Sequence, residues 1–597
     1  MGKILTADFE TTTNPDDCRV WAYATCEVGN VENFTYGNSI DEFMEFCEGK
    51  ENYKIFFHNL KFDGEFIMWW LINNNFEYIQ DKKNRKSKTF TTLITDMGTI
   101  YAIEVFFYVK NHHVNKVTFY DSLKILNFSV EQIAKDFNLP INKLKIDYKK
   151  ERSKTHQLTK QEIDYIKNDV TIVAMALDEF YKRGFHKITI GSNALSDFKS
   201  KCKNFNQYFP LLDNNIDDFC RKSYKGGFTY LNPIYTEKTT GNGIVFDVNS
   251  MYPAKMKFEK LPFGYPIYFD GEYKEDKLYN LYIINFDCEF KLKTGKIPSI
   301  QIKKNIYYKG NEYLTESKGL TNLTLTSVDY ELFKDNYDVF NLTINGGYKF
   351  KSICGLFNNY IDSWTKEKIN AKKENNFAMY RISKLFLNSL YGKFGISTNK
   401  TLKQPNLDEN GIIKYSLYQG KDRKSLYTPM ASFITSYARK YIIESSEKIR
   451  EWSLNKYNED CYIYSDTDSI HLKVYNKEED INDLKNFINI DDYELGAWKP
   501  ESEFERGGYI RQKCYIEEYQ GKLNVTIAGF PKYLAPILKF EDFKIGFTTE
   551  NLTLNDLIKK AKNNGASEEE ISKIHHKLRY HHVKGGVILE DTPFTIK

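Results

Sequence analysis

The chain has 597 residues, with 84 Lys and Arg against 80 Asp and Glu, a formal charge of only +4. Affinity for a polyanion must therefore come from local grooves and not from a global basic field. Nine cysteines, an odd number without a CxxC pair, argue against a disulfide framework or structural zinc and for a reducing compartment; no apolar run spans a bilayer and the first residues lack a signal-peptide core, which predicts a soluble cytoplasmic protein of roughly three to five structural units.

In chain order, the first predicted strand lies near 3–8 and runs into Asp8 and Glu10, whose i, i+2 spacing sets both carboxylates on one face. Further strands are predicted near 20–27, 54–57, 100–109 and 116–120, and helices near 63–74, 129–137 and 160–182. Asp63 opens the first helix behind His58-Asn59-Leu60-Lys61-Phe62, while Tyr165 and Asp169 share a face of the third at i, i+4. Each acid alone reads as a surface carboxylate. Four acids with a tyrosine suit two-metal phosphodiester hydrolysis, with Tyr165 orienting the water. This α/β unit is expected to end near 187, and Gly191-Ser192-Asn193 reads as a break into the next domain.

Ile244-Val245-Phe246 predicts a buried strand, from whose end Asp247 emerges ahead of Tyr252-Pro253. A strand-rich stretch follows (Leu281–Phe290, Tyr307–Leu314, Leu323–Thr326), then a turn at Asn345-Gly346-Gly347. Residues 348–400 hold ten Lys and Arg against three Asp and Glu. There Lys384, Asn388 and Tyr391, at i, i+4 and i+7, share one helical face that Gly392 closes. Lys384 can bind a triphosphate as a point charge, Tyr391 can stack on or beside a base, and Lys368 on the preceding helix adds a second charge.

Tyr464-Ser465-Asp466-Thr467-Asp468-Ser469 joins two apolar runs and predicts a hairpin whose tip projects two carboxylates. An isolated Asp-x-Asp reads as a solvated turn. With Asp247 opposite, it suits two hard cations about 4 Å apart during in-line phosphoryl displacement. Tyr252 under the incoming sugar would favour deoxynucleotides, and it reads equally as a half-buried ring before a Pro turn. Near the C-terminus, residues 553–580 predict helices, Gly565 ending one and Ser567-x-x-Glu570 capping the next.

DxNSxYP at 247–253, KxxxNSxYG at 384–392 and YxDTDS at 464–469, in this order, resemble motifs A, B and C of family B DNA polymerases. Their variants look like the protein-primed, phi-29-type phage branch. The N-terminal acids fit DxE … NLxxD … YxxxD of the attached 3′–5′ exonuclease. Lys513-Cys514-Tyr515 resembles the KxY primer-strand motif, and Tyr224-Lys225-Gly226-Gly227 the YxGG motif that couples polymerisation to editing. Thr435-x-x-Ala438-Arg439 and the ending Gly585-Gly586-Val587…Phe594-Thr595-Ile596-Lys597 fit the same branch, so the resemblance covers nearly the whole chain.

The resemblance implies a mixed α/β and α+β multidomain fold: a ribonuclease-H-like exonuclease domain (1–187) and a right hand of palm (188–258, 424–530), fingers (356–395) and thumb (531–597). Two insertions are expected, one (259–355) docking a terminal priming protein and one (396–423) encircling DNA. The implied activity is a monomeric, proofreading DNA-directed DNA polymerase that copies a linear viral genome by protein-primed, strand-displacing synthesis in the host cytoplasm. Its implied partners are primer–template DNA, single-stranded DNA, dNTPs and a terminal protein, without a membrane. An enzyme extending only nucleic-acid primers is the alternative.

By the same resemblance, Asp247, the Val248 carbonyl and Asp468 would hold two Mg²⁺, or Mn²⁺ in substitution, with Asp466 as a further catalytic acid. Asp8, Glu10, Asp63 and Asp169 would hold the editing metals. Thr11, His58, Asn59, Phe62, Ser122 and Leu123 fall on positions that hold a frayed primer end, and Phe62 and Ser122-Leu123 read nearly as well as core packing. Lys143 and Tyr148 match exonuclease-supporting positions, and Arg381 lies near a basic fingers residue, offset in register. The C-terminal stretch is longer and more helical than the family's short β-hairpin thumb.

Overall fold

The computed structural model describes residues 2–110, 113–148, 150–303, 311–398, 400–421, 423 and 425–597. Strand Ile4–Thr11 sits inside an eight-stranded sheet, paired antiparallel to Val20–Glu27 and parallel to Tyr53–Phe57, which continues parallel to His113–Asp121. Parallel neighbours demand crossovers, and helix Leu60–Asn73 belongs to one of them. Helix Lys160–Lys182 starts in a capping box between Thr159 and Glu162. It packs on the first strand, where the Thr6 hydroxyl donates to the Val170 carbonyl at 2.8 Å.

The expected break at Gly191-Ser192-Asn193 is instead the first turn of helix Ile190–Lys201. Thr189 caps that helix, and the Asn193 amide bonds Lys187 through both its N–H and its carbonyl. Turn-forming residues here satisfy the orphan donors of a helix start and do not interrupt the chain.

A five-stranded antiparallel sheet lies in the two stretches expected to be the palm, in the order Trp498–Phe504, Gly243–Val248, Ser469–Lys473, Tyr462–Asp466, Thr229–Leu231. The 30-residue helix Thr428–Tyr457 lies against it and buries Ile442, Ile443, Ile449 and Trp452 in the same cluster as Phe246, Tyr462 and Leu472. Beside it stands a second sheet, Lys238–Thr240, Arg506–Arg511, Cys514–Tyr519 and Lys522–Ile527. Helices Asn358–Lys373 and Phe377–Ser389, in the stretch expected to be the fingers, pack together with Trp364 and Phe386 ring to ring at 4.2 Å. Gly392 does not close the second of these. The chain continues through the short helix Tyr391–Phe394, and Gly395 is the residue that caps it.

The first insertion is a four-stranded sheet, Leu261–Phe269, Tyr337–Ile353, Leu281–Leu292 and Thr321–Thr326. Asn345-Gly346-Gly347 is not its turn: the three residues lie within the 17-residue strand, where Gly346 takes φ +98° at a register shift against Asn285 and Phe286. The expected strand Tyr307–Leu314 falls partly outside the described residues; Asn311–Tyr313 is extended. The second insertion is a hairpin, Thr401–Leu407 with Ile413–Gln419, laid against the N-terminal sheet. The C-terminal region holds helices Leu554–Asn563 and Glu568–Ile571, the latter with the expected Ser567–Glu570 capping box, and then a hairpin, Lys577–Val583 with Gly586–Thr592. This region thus carries both helices and a β-hairpin. Among the described residues no helix is long and apolar enough to cross a membrane.

Candidate active site

Asp247 and Asp468 meet because their strands are adjacent: Asp247 pairs with Ser469, and the Val248 N–H donates to the Asp468 carbonyl at 2.8 Å. The hairpin tip is a γ-turn. The Asp468 N–H donates to the Asp466 carbonyl at 2.7 Å across Thr467, whose φ is +66°. A β-branched residue rarely adopts that conformation, and the surroundings hold it there: the Thr467 N–H donates to the Phe228 carbonyl at 2.7 Å. Burial, then Asp468 and Glu501, push the Asp247 carboxyl up to about 7, and burial also raises Asp468. The Lys384 charge acts against both rises.

Around this pair stand the nucleotide-site candidates. Lys384 and Asn388 are exposed on the outer face of their helix, while Ile382, Phe386 and Leu387 bury the other. Tyr391 stacks on Tyr252 with centroids 4.0 Å apart at 23°. Lys368 reaches the Ser250 hydroxyl at 3.3 Å, and burial with Lys384, Lys499 and Lys372 holds its pKa below the usual lysine range. Several lysines thus gather beside two carboxyls whose charge burial disfavours, a perturbed cluster of the kind found at functional sites.

Asp466 points elsewhere: Lys513 Nζ holds its two oxygens at 2.8 and 3.0 Å, with Thr229 and Tyr464 hydroxyls adding bonds. Tyr515 packs on Tyr464, Tyr509 and His471. The 224–227 loop is locked to the same centre. Tyr224 lies against Gly395, leaving no room there for a side chain, and Gly227 lies against Thr467 and the Tyr252 hydroxyl. Arg439 Nη1 donates to the Lys225 and Gly226 carbonyls at 2.9 Å, with its other arm on Asp329 of the first insertion.

A second acid cluster lies in the N-terminal unit. Glu10, Asp63 and Asp169 are all buried, and Asp63 accepts the Phe9 N–H at 3.3 Å. Burial, then Asp169, push Asp8 up to about 7; burial, then Asp8, hold Glu10 and Asp63 well above the ordinary carboxylate range. Lys143 is the counter-charge, bonded to one oxygen of Asp169, whose other oxygen is buried without a partner. Tyr148 and Tyr165 join hydroxyl to hydroxyl at 2.6 Å beside it.

Among the described residues no three Asp, Glu, His or Cys side chains enclose an ion unaided. In the N-terminal cluster the repelling buried carboxylates with the orphaned Asp169 oxygen fit a divalent ion, and the half-buried, repelling Asp247 and Asp468 fit one in the other.

Three expected contacts are placed differently. His58 is half-buried with both ring nitrogens committed, to the Ser122 hydroxyl at 3.0 Å and the Phe128 carbonyl at 2.7 Å, and Ser122 is fully buried on the Phe57 carbonyl. Both nitrogens of His58 and the Ser122 hydroxyl are thus spent on internal bonds that brace the site. Arg381 turns from the fingers cluster to Asp136 at 2.7 Å and lies over Phe128. Thr11 lines a cavity of about 600 Å³ with Tyr148, and Leu123 is half-buried with its N–H on Asp121. Asn59 and Phe62 stand at the helix start beside Asp63.

Sequence reasoning missed Lys499 and Glu501, which sit on the strand paired with Asp247 and bear on its charge. It also missed Asp121, buried, accepting the Asn59 and Leu123 N–H groups and adding to the repulsion on Asp63. Asp121 was the findable one, an acid at the end of a predicted strand.

Residues 46–487 match the family of DNA polymerases type B, organellar and viral. The chain is 40% identical to the DNA polymerase of Bacillus phage M2 over 620 residues, covering 100% of both chains. It is 40% identical to that of Bacillus phage phi29 (100% and 99% covered) and 34% identical to that of Streptococcus phage Cp-1 (92% and 95% covered). Its structure is similar to Phi29 DNA polymerase complexed with primer-template DNA and incoming nucleotide substrates, with a TM-score of 0.89 at 39% identity and full coverage of both chains. It is similar also to Phi29 DNA polymerase complexed with single-stranded DNA, at a TM-score of 0.85 and 38% identity over the whole of both chains.

Proposed function

The chain belongs to the type B DNA polymerases of organelles and viruses and is a DNA-directed DNA polymerase of the phi29 type, and from that premise we propose that it also edits its product 3′ to 5′ and starts synthesis on a protein hydroxyl. The observation that carries the synthetic reading is the Asp247–Asp468 pair, two repelling carboxylates on adjacent strands whose rise in pKa the Lys384 charge offsets.

In synthesis the primer 3′-hydroxyl attacks the α-phosphorus of a dNTP, a phosphodiester forms and pyrophosphate leaves. Mg²⁺ or Mn²⁺ held by Asp247, Asp468 and the Val248 carbonyl would supply charge neutralisation and lower the pKa of the attacking hydroxyl. Lys384 and Lys368 bind the triphosphate oxygens. The Tyr252–Tyr391 stack forms the wall against which base and sugar are positioned, and a rigid ring there excludes a 2′-hydroxyl. Lys513, joined to Asp466, holds the hairpin to the sheet that would carry the primer strand.

In editing, water attacks the last phosphodiester and a nucleotide leaves with the phosphate. Asp8, Glu10, Asp63 and Asp169 are the candidate metal-holding acids. Lys143 offsets their charge and the Tyr148–Tyr165 pair orients the water. Asn59, Phe62, Thr11 and Leu123 line the approach. The likeness to Phi29 DNA polymerase complexed with single-stranded DNA supports this assignment.

Protein priming is supported by the two insertions, each a built sheet or hairpin against the hand. The first would dock a terminal protein so that its Ser, Thr or Tyr hydroxyl takes the place of the primer end, and the second would close around DNA during copying of a linear genome in the host cytoplasm. Incubation with labelled dNTP and a candidate terminal protein should leave a dNMP on the protein. Primer extension without any such label would favour an enzyme that extends nucleic-acid primers alone.

A further inference from the structure

The C-terminal hairpin is seated on the N-terminal unit. Val583, Val587 and Ile588 belong to the hydrophobic cluster of the first sheet, and Gly585 and Gly586 lie so close to the Cys18 carbonyl and the Phe66 ring that neither leaves room for a Cβ. A buried carboxylate completes the seat. Glu65 accepts the Tyr415 hydroxyl of the second insertion at 2.7 Å on both oxygens, and His582 Nε2 of the hairpin stands 3.3 Å away. Three segments distant in sequence thus meet on one side chain of the helix that carries Asp63.

This seating brings Tyr580 to the mouth of the editing cluster. Its hydroxyl accepts the Asn59 Nδ2–H at 3.1 Å, its ring lies 6.2 Å from that of Phe62, and Lys61 Nζ stands 4.9 Å from its centroid. Asn59, Phe62 and Asp63 belong to one helical turn, so a strand end heading for Asp63 passes Asn59 and Phe62 and meets Tyr580 there.

We propose that Tyr580 gates the editing site: its hydroxyl and ring hold the amide and the aromatic face that the last bases of a single strand would use, and degradation begins when the strand displaces it. The inference rests on the editing reading above. Because the gate and the strand compete for the same groups, apparent strand affinity falls in proportion to the fraction of molecules whose gate is open. The test is steady-state degradation of a single-stranded oligonucleotide by the full chain, with Tyr580→Phe, which keeps the ring and loses the bond to Asn59, and Tyr580→Ala, which loses both.

The KM for the oligonucleotide is expected to fall about three- to tenfold in Tyr580→Phe, as for one net hydrogen bond, and further in Tyr580→Ala, with kcat and single-nucleotide incorporation unchanged. A purely structural role would lower the melting temperature without selectively lowering KM. An unchanged KM in Tyr580→Phe overturns the gate, as does a raised one, which would make Tyr580 a binding wall. Tyr580→Phe is nearly isosteric and decides the matter even if Tyr580→Ala fails to fold. Wild-type protein that leaves the oligonucleotide intact would bring down the editing reading and the gate with it.

Discussion

Gly227→Ala tests how tightly the catalytic hairpin is held. A Cβ at Gly227 would stand 2.8 Å from Thr467 Cγ2, 3.0 Å from its Oγ1 and 3.1 Å from the Tyr252 hydroxyl. Ordinary contact begins at 3.4 Å, so Thr467 or the loop must give by about 0.6 Å. Thr467 has little freedom to do so. Its side chain is β-branched, its φ is already +66°, and its N–H is bonded to Phe228, the neighbour of the substituted residue. The displacement therefore passes to Asp468, one residue on. A 1 Å misplacement costs on the order of a hundredfold, so single-nucleotide incorporation should fall by about ten- to a hundredfold. The assay is single-turnover addition of one dNTP to a primer–template, with degradation of a single-stranded oligonucleotide as the internal control. Gly227→Ala with wild-type incorporation would refute the claim that this contact fixes the turn.

Lys384→Gln should raise the KM for dNTP by at least about tenfold, because a charge-assisted bond to phosphate is lost; an unchanged KM would remove Lys384 from the triphosphate site. Glu162 bonds Arg152 at 2.9 Å, both side chains nearly fully buried, and Glu162→Gln should destabilise the N-terminal unit by up to about 3–5 kcal/mol near neutral pH. Burial opposes the Glu162 charge, but the Thr159 N–H, His156 and Arg152 hold its pKa down to about 2. A carboxylate depressed on folding stabilises fully above its unfolded value of 4.5, and that contribution is lost as pH falls through about 2. The melting gap between wild type and variant should thus close toward pH 2, and a gap independent of pH would contradict the assignment. Tyr415→Phe removes both bonds to Glu65, so products made in one binding event under a trap should shorten while single-nucleotide incorporation holds; unchanged product length would show that the three-way contact does not hold the hairpins together.

The chemistry-bearing strands were legible because their signals are local. Asp8 and Glu10 share a strand face by period two, and the runs flanking Asp466-Thr467-Asp468 specify a hairpin with no distant information. The helix 160–182 was readable for the same reason, its cap and its apolar spacing lying within the segment. What failed depends on neighbours remote in sequence. Three residues advance a helix about 300°, so Arg381 sits about 60° off the face of Lys384, enough for Asp136 to claim it. His58 and Ser122 carry polar groups that suit a ligand or a buried brace equally, and only the position of the Phe128 carbonyl chooses between them. Gly346-Gly347 has turn composition, but strands on both sides turn it into a bulge. The meeting of Glu65, Tyr415 and His582 leaves no trace in any one stretch of sequence.

The most direct test of two separate acid clusters serving two reactions is a reciprocal pair of variants assayed for both activities. Asp468→Ala should lose primer extension and still shorten a single-stranded oligonucleotide, whereas Asp8→Ala with Asp63→Ala should extend primers and leave the oligonucleotide whole. Retained extension in the first, or wild-type shortening in the second, would contradict the assignment of that cluster.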